Sequence, residues 1–411
     1  MAISNQELQA VRSQGSITLA VSATGSDAPS ANRPFKITSG NYSAYPFATI
    51  QAAIDSLPRN IRKEHTLTIN VGAGTFGGFD VAGFVFGTQT MFMNGTRAVF
   101  TPTTGPSSGT ATSGGDGTIT LADASWTTGN LVGKFLNITA GSGVGYIIPI
   151  ESNTTDTIVV SHDISLDDTT EFTIEDVVTI IDTLAATGVA GIVINNNGSF
   201  VLSDFKVEHT TPHTYGIHVA AGGGLIRRCV CSQYTGFNIE ASLASCQFCI
   251  ADGSSYAGYF ACCVGSFAAI GSLAVNCLQG LWVEGINTAV LQDVHVIGCA
   301  TGFVIIASRV NMTSVVASNC STISFDLDSG ANIRVNTSLS GSGNFGFGLN
   351  IVGAGNIVEL LCTPTITGYT GEVTVDSSND ETWAFLSTIG NAAVNANTGS
   401  IITRISYPGA D

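Results

Sequence analysis

From Tyr215 to Gly346 a short unit recurs: Gly216-Ile217-His218-Val219, Gly236-Phe237-Asn238-Ile239, Gly258-Tyr259-Phe260-Ala261, Gly280-Leu281-Trp282-Val283, Gly302-Phe303-Val304-Ile305 and Ser324-Phe325-Asp326-Leu327. The leading residues step by 20, 22, 22, 22 and 22 positions, and Gly346 follows another 22 on. A fixed period this short means stacked units, each burying its apolar face on the next. Within a unit, odd offsets from the glycine are apolar and even offsets are mixed or polar, the period of a strand with one face inward. There is no apolar stripe at three and four residues, as helical repeats need, and no fixed Leu and Asn ladder, as leucine-rich repeats need. The expectation is an all-β chain: a right-handed parallel β-helix of about 22 residues per coil, its strands about 4.8 Å apart.

Cys277, Cys299 and Cys320 form a second ladder, 19, 19 and 18 residues after their glycines. Cysteine is a small apolar filler for a repeated corner. The competing reading, a metal site among Cys229, Cys231, Cys246, Cys249, Cys262 and Cys263, matches no zinc spacing well, so no metal or cofactor is assigned.

Only 11% of the chain is charged, and 48 of its 411 residues are glycine. Its 30 acidic against 14 basic residues give a net charge of −16, the wrong sign for binding a phosphate backbone, so nucleic acid is excluded as a partner. The N-terminus lacks a basic stretch followed by an apolar run, so no signal peptide is expected. No run approaches the length of a membrane span, so no membrane insertion is expected. Without a signal, ten cysteines point to reduced thiols.

In chain order, residues 1–40 read as an N-terminal arm. Residues 41–100 hold a short helix and the first coils; in Pro46-Phe47-Ala48-Thr49-Ile50-Gln51-Ala52-Ala53-Ile54-Asp55-Ser56-Leu57-Pro58, Ile50, Ala53, Ile54 and Leu57 share one helical face. Such a helix would cover the open edge of the first coil. The 22-residue register is lost over 101–176, where short strands separated by turns indicate an inserted small β-barrel or sandwich with Trp126 in its core. Residues 177–375 carry the main β-helix, and 376–411 break its period, as a C-terminal cap or trimer contact would.

The strand with Gly25-Ser26-Asp27, then Pro46-Phe47-Ala48-Thr49-Ile50-Gln51-Ala52-Ala53-Ile54, then Ile69-Asn70-Val71-Gly72-Ala73-Gly74-Thr75-Phe76 resembles the opening of pectate-lyase-like β-helices, phage tailspikes and polysaccharide depolymerases in particular. The inserted segment is similar to a module that recurs in phage structural proteins. The resemblance implies a homotrimer in the virion tail, assembled in the host cytoplasm. Its N-terminus would attach it to other tail or virion proteins, and it would bind bacterial surface polysaccharide.

Alternation puts His218, Asn238, Phe260, Trp282, Val304 and Asp326 on the outward side at offset two, and Ala220, Glu240, Cys262, Glu284, Ile306 and Asp328 at offset four. Phe260 and Trp282 are then stacked neighbours with acids above and below. Aromatic rings cover the apolar faces of pyranoses and carboxylates accept hydroxyl hydrogens, so Phe260, Trp282, His218 and Asn238 are candidate substrate contacts. Glu240, Glu284, Asp326 and Asp328 are candidate catalytic acids. Glu240, Glu284 and Asp328 stand two coils apart, about 9.6 Å at the backbone. Leaning side chains bring such a pair within reach of the roughly 6.5–9.5 Å of inverting glycoside hydrolysis. Asp326 and Asp328 repel each other, which raises the pKa of one of them; two carboxylates alone do not make a calcium site. Pectate lyases pair their acids with a basic residue, and no arginine is near this column, so hydrolysis fits better than elimination. His218 and His295 otherwise read as ordinary surface or turn histidines.

Two further classes remain open on these residues. One is a non-enzymatic structural fibre or decoration protein of the virion, in which the two rings pack against a partner chain. The other is a bacterial carbohydrate-active β-helix enzyme.

Overall fold

The computed structural model describes residues 13–30, 34, 36–62, 64–86, 90–182, 190–208, 215–240, 243–262, 265–336, 339–343 and 347–352, and strands within 357–403. It is a parallel β-helix whose coils each contribute up to three strands. In one coil these are Gln279–Glu284, Thr288–Gln292 and His295–Ile297, here called faces A, B and C. Faces A and B merge into a 23-stranded sheet, because Ala190–Ser203 and Tyr215–Arg227 run through the corner between them; face C is a separate 10-stranded sheet.

Like stacks on like inside. Phe237 lies on Tyr259 with ring centroids 4.8 Å apart, and Phe303 on Phe325 at 5.1 Å, the rings of both pairs nearly parallel. These separations match the strand spacing, so each ring covers its neighbour in the next coil. The glycine ladder has a steric cause. A Cβ at Gly236, Gly258 or Gly280 would lie 2.6–2.7 Å from the carbonyl oxygen of the corresponding glycine one coil on, and against side chains of face C. None of these three has a positive φ; the position is closed to side chains by close approach rather than by backbone conformation.

Residues in the left-handed region turn many of the corners. Among them are Gly265, Gly285, Ala307 and Ser329 with Gly330 between A and B; Asp204, Arg228, Phe248, Gly271, Asp293 and Ser314 between B and C; and Gly253, Asn276, Gly298 and Asn319 between C and A. The last set explains the cysteine ladder, since Cys277, Cys299 and Cys320 follow Asn276, Gly298 and Asn319 directly. Each thiol is buried and donates to a carbonyl two residues back. Cys229, Cys231, Cys246, Cys249 and Cys262 are also buried and unbridged; Cys263 and the ladder position Gly346 lie outside the described residues. Among the described residues no group of three or more His, Cys, Asp or Glu is placed to hold a metal ion. No helix among them is long and apolar enough to cross a membrane.

Helix α1 (Ile50–Asp55) is shorter than its sequence signal. Thr49 caps it, accepting from Ala52 N–H, and Ile50, Ala53 and Ile54 join the solenoid core. Residues 1–12 of the expected arm lie outside the described residues. Beyond them, Ile17–Val21 pairs in parallel with Leu67–Val71 as part of the solenoid, because Ile17, Leu19 and Val21 alternate inward. At the other end, Thr382–Leu386, Val394–Ala396 and Ser400–Thr403 also pair in parallel with preceding strands, so as far as they are described they continue the sheet rather than break from it.

An antiparallel module leaves the solenoid after Asn94 and returns at Thr179. Thr96 and Thr179 are hydrogen-bonded neighbours at its root, so about 80 residues enter at a single B-to-C corner. Its strands run from Arg97–Val99 to Glu171–Val177, in one 8-stranded sheet around a core that includes Trp126. The module packs on face C, where Val230, Ile250, Leu273 and Val275, all on the outward side, meet Phe135 and Val177.

Candidate functional site

The strand register aligns the two outward columns of face A as alternation requires. His218, Asn238, Phe260, Trp282, Val304, Asp326 and Asn350 follow one another coil by coil, and so do Cys262, Glu284, Ile306 and Asp328. The columns are less open than expected. Phe260, Trp282, His218 and Asp326 are half-buried, Val304 is buried, and Asn238 is completely covered. Asn238 is the small member of its column, flanked by His218 and Phe260, and its Nδ2 donates to Glu240 Oε1 at 2.9 Å. Glu240 also lies 3.2 Å from His218 Nε2. His218 is therefore the partner of a candidate acid rather than an ordinary surface residue, and Glu240 is engaged from two sides.

The rings form a larger group than the sequence indicated. Phe260 and Trp282 meet edge to face at 5.5 Å, Tyr256 packs on both, and Tyr234 stacks on Tyr256 at 5.1 Å, with 42% of Tyr234 exposed. Tyr215 lies 5.0 Å from the His218 ring. Tyr234 and Tyr256 each precede their glycine by two residues, at the C-to-A corner, and are themselves 22 apart. That spacing was a signal in the sequence, masked because the corner is outside the alternating strand. Burial pushes the Tyr256 and Tyr215 hydroxyls up from the ordinary phenol range, with Glu284 adding to the first and Glu240 to the second. Both phenols are neutral hydrogen-bond donors at neutral pH.

Several polar atoms here are buried without a partner among the described residues: Trp282 Nε1, Asn238 Oδ1 and Gln279 Oε1. Buried polar groups in this condition are costly and uncommon. Farther along the same face, Asn350 Nδ2 donates to Asp326 Oδ1 at 2.8 Å. Burial raises the Asp326 pKa most, and the Asp328 charge raises it further against the opposing effect of Asn350. The direction agrees with the repulsion expected between the two aspartates, but desolvation is the larger cause.

His295 departs from its sequence reading. It is buried under the inserted module, its Nδ1 2.5 Å from Glu151 Oε2, and the nearby His162–Asp293 pair at 2.9 Å ties the same two bodies together. Partners 144 residues apart leave no local trace. A larger concavity, of about 830 Å³, lies away from the aromatics on face B, where Gly223, Leu243, Ala268 and Val290 make a shallow, uncharged groove.

No family model matches the chain, and no curated protein matches its sequence. Among solved structures it is similar to the tailspike protein gp49 of Pseudomonas phage LKA1, with 14% identity over 87% of this chain and 75% of that one and a TM-score of 0.27. It is similar to the Gp54 tailspike of Acinetobacter baumannii bacteriophage AP22, solved in complex with A. baumannii capsular saccharide (12%, covering 84% and 70%, TM-score 0.17). A third is XylC in complex with xylose (11%, covering 85% and 70%, TM-score 0.25). Likeness at these identities and scores identifies no functional residue in this chain.

Proposed function

We propose that this parallel β-helix protein is a phage tailspike or tail-fibre subunit that binds bacterial surface polysaccharide along face A. The observation that carries the proposal is the continuous run of Tyr234, Tyr256, Phe260 and Trp282 beside Glu240 and Glu284. A sugar ring offers the complements such a surface lacks: an apolar face for the rings and hydroxyls for the Glu240 and Glu284 carboxylates. Successive coils about 4.8 Å apart give an extended chain of sugars successive contacts.

Hydrolysis is the reaction the acids support. Asp326, whose pKa is raised by burial and by Asp328, suits the general acid, and Glu284, two coils along the stack and two residues across it, about 12 Å away at the backbone, suits the base that activates water. Glu240, held by His218 and Asn238, suits orientation of the sugar. The apolar outward side of face B, with Leu243 62% and Val290 38% exposed, supports packing of three copies through that face. The test is release of reducing ends from purified capsular and O-antigen polysaccharides by the unmutated chain, beside Glu240→Gln and Glu284→Gln. Loss of release in Glu284→Gln with binding retained supports hydrolysis on this face. Binding without release by the unmutated chain leaves a receptor-binding fibre.

The structural-stalk reading is favoured by the complete burial of Asn238 and the partial burial of both rings. It predicts that no surface polysaccharide binds at all.

A further inference from the structure

Where the inserted module meets the solenoid there is a second cleft, of about 330 Å³, walled by Tyr146 on one side and by Arg227, Arg228, Gln247 and Phe248 on the other. Its charge is unusual for a chain with 14 basic residues and a net charge of −16. Arg228 is spent on a bidentate pair with Asp204, at 2.8 and 2.7 Å, and Arg97 pairs with both Asp204 and Glu175. Glu175 also accepts from Asn137 Nδ2 at 2.7 Å. Three guanidinium groups thus share two carboxylates, and Arg227 is the one left over. No described residue forms an ion pair with it, and its Nε is buried without a hydrogen-bond partner.

We propose that this cleft is an anion subsite that takes the carboxylate of an acidic sugar residue. A guanidinium fork matches a planar carboxylate, and a charge-assisted bond in a partly dehydrated cleft is among the stronger polar contacts available. Tyr146, 42% exposed, offers a flat apolar surface to the sugar ring. The Gln247 amide can both donate and accept toward ring hydroxyls. The volume suits one or two sugar units. Burial together with the neighbouring Arg228 charge lowers the Arg227 pKa against the opposing effect of Asp204, and an incoming carboxylate would favour the charged form. Over most of a surface this acidic an anionic glycan is repelled; at this cleft it is attracted.

The assignment rests on the reading of the protein as a polysaccharide binder but uses a surface remote from the face A rings, so separate variants distinguish the two. Isothermal titration at low ionic strength would compare a glucuronate-containing disaccharide with its carboxyl-reduced form, using the full chain. The expected result is saturable binding of the acid form, at least tenfold weaker for the reduced form and for Arg227→Gln. Tyr146→Ala should weaken both forms, and matching melting curves would show that the variants fold. Equal binding of acid and reduced forms, unchanged binding by Arg227→Gln, or no saturable binding overturns the proposal. So does inorganic phosphate that binds more tightly than the disaccharide and displaces it, which would make this a site for small free anions.

Discussion

Replacing Gly280 by alanine should damage the solenoid more than any exposed glycine substitution. A Cβ there would sit 2.2 Å from Val296 Cγ1, 2.7 Å from its Cγ2, and 2.7 Å from the Gly302 carbonyl oxygen. Val296 is fully buried on the inward side of face C, and the carbonyl belongs to the ladder joining one coil to the next. Neither can retreat without opening the stack, so the cost belongs at the upper end for overpacking, about 3 kcal/mol. Val296→Ala alone removes two buried methyl groups and should cost about 2–3 kcal/mol, counting transfer and the cavity. Made together, the changes should cost about 1–2 kcal/mol less than their sum, because the worst contact has been removed. The contact across the coil then matches what the adjacent coil would give, where a Cβ added at Gly258 would lie 3.2 Å from Ala274 Cβ. Guanidinium unfolding followed by far-ultraviolet circular dichroism would measure the cycle, since tryptophan emission would mix Trp126 of the inserted module with Trp282 of the solenoid. A cost for Gly280→Ala below about 0.5 kcal/mol, or strict additivity in the pair, would refute the close-approach explanation of the ladder.

Three other outcomes follow from the geometry. Asp326 binds its proton more tightly folded than unfolded, so its ionisation opposes folding as pH rises through and above the ordinary carboxylate value. Asp326→Asn should therefore raise the melting temperature at pH 7 and give no gain below about pH 3.8; equal shifts at both pH values would contradict this. Burial drives the Cys229, Cys231 and Cys249 thiols well above their usual range, and mass-spectrometric footprinting should find them unalkylated until the chain is denatured. Glu151→Ala leaves buried His295 without its partner and should loosen the module from face C before the solenoid melts. Faster hydrogen exchange in Ile147–Asn153 than in Thr288–Gln292 would reveal it.

The solenoid was legible because its constraints are local and repeated. Each coil must supply an inward alternation, a glycine where the next backbone passes, and a residue tolerant of the left-handed region at many of its corners. Asn276, Gly298 and Asn319 announce that last requirement in the sequence. Arg228, Phe248 and Ala307 occupy the same conformation although their types rarely do, so only the stack reveals it. The outward columns of face A were legible for the same reason, but their openness was not. Alternation gives the direction of Asn238 and cannot give the size of what stands beside it. The docking of the module left one readable trace, since Leu273-Ala274-Val275 is apolar at every position, as a strand covered on both sides must be. What covers it, and the pairing of His295 with Glu151, depend on contacts between distant segments that no spacing encodes.

The most direct test of the account is equilibrium binding of purified capsular and O-antigen polysaccharides to the unmutated chain and to the Phe260→Ala/Trp282→Ala variant. The account predicts saturable binding of at least one glycan, weakened by about thirtyfold or more when both rings are removed, roughly 2 kcal/mol, in a variant whose circular dichroism shows the fold retained. Equal affinity in the two proteins would place the glycan elsewhere, and no binding of any surface polysaccharide would leave face A as the wall of a structural stalk.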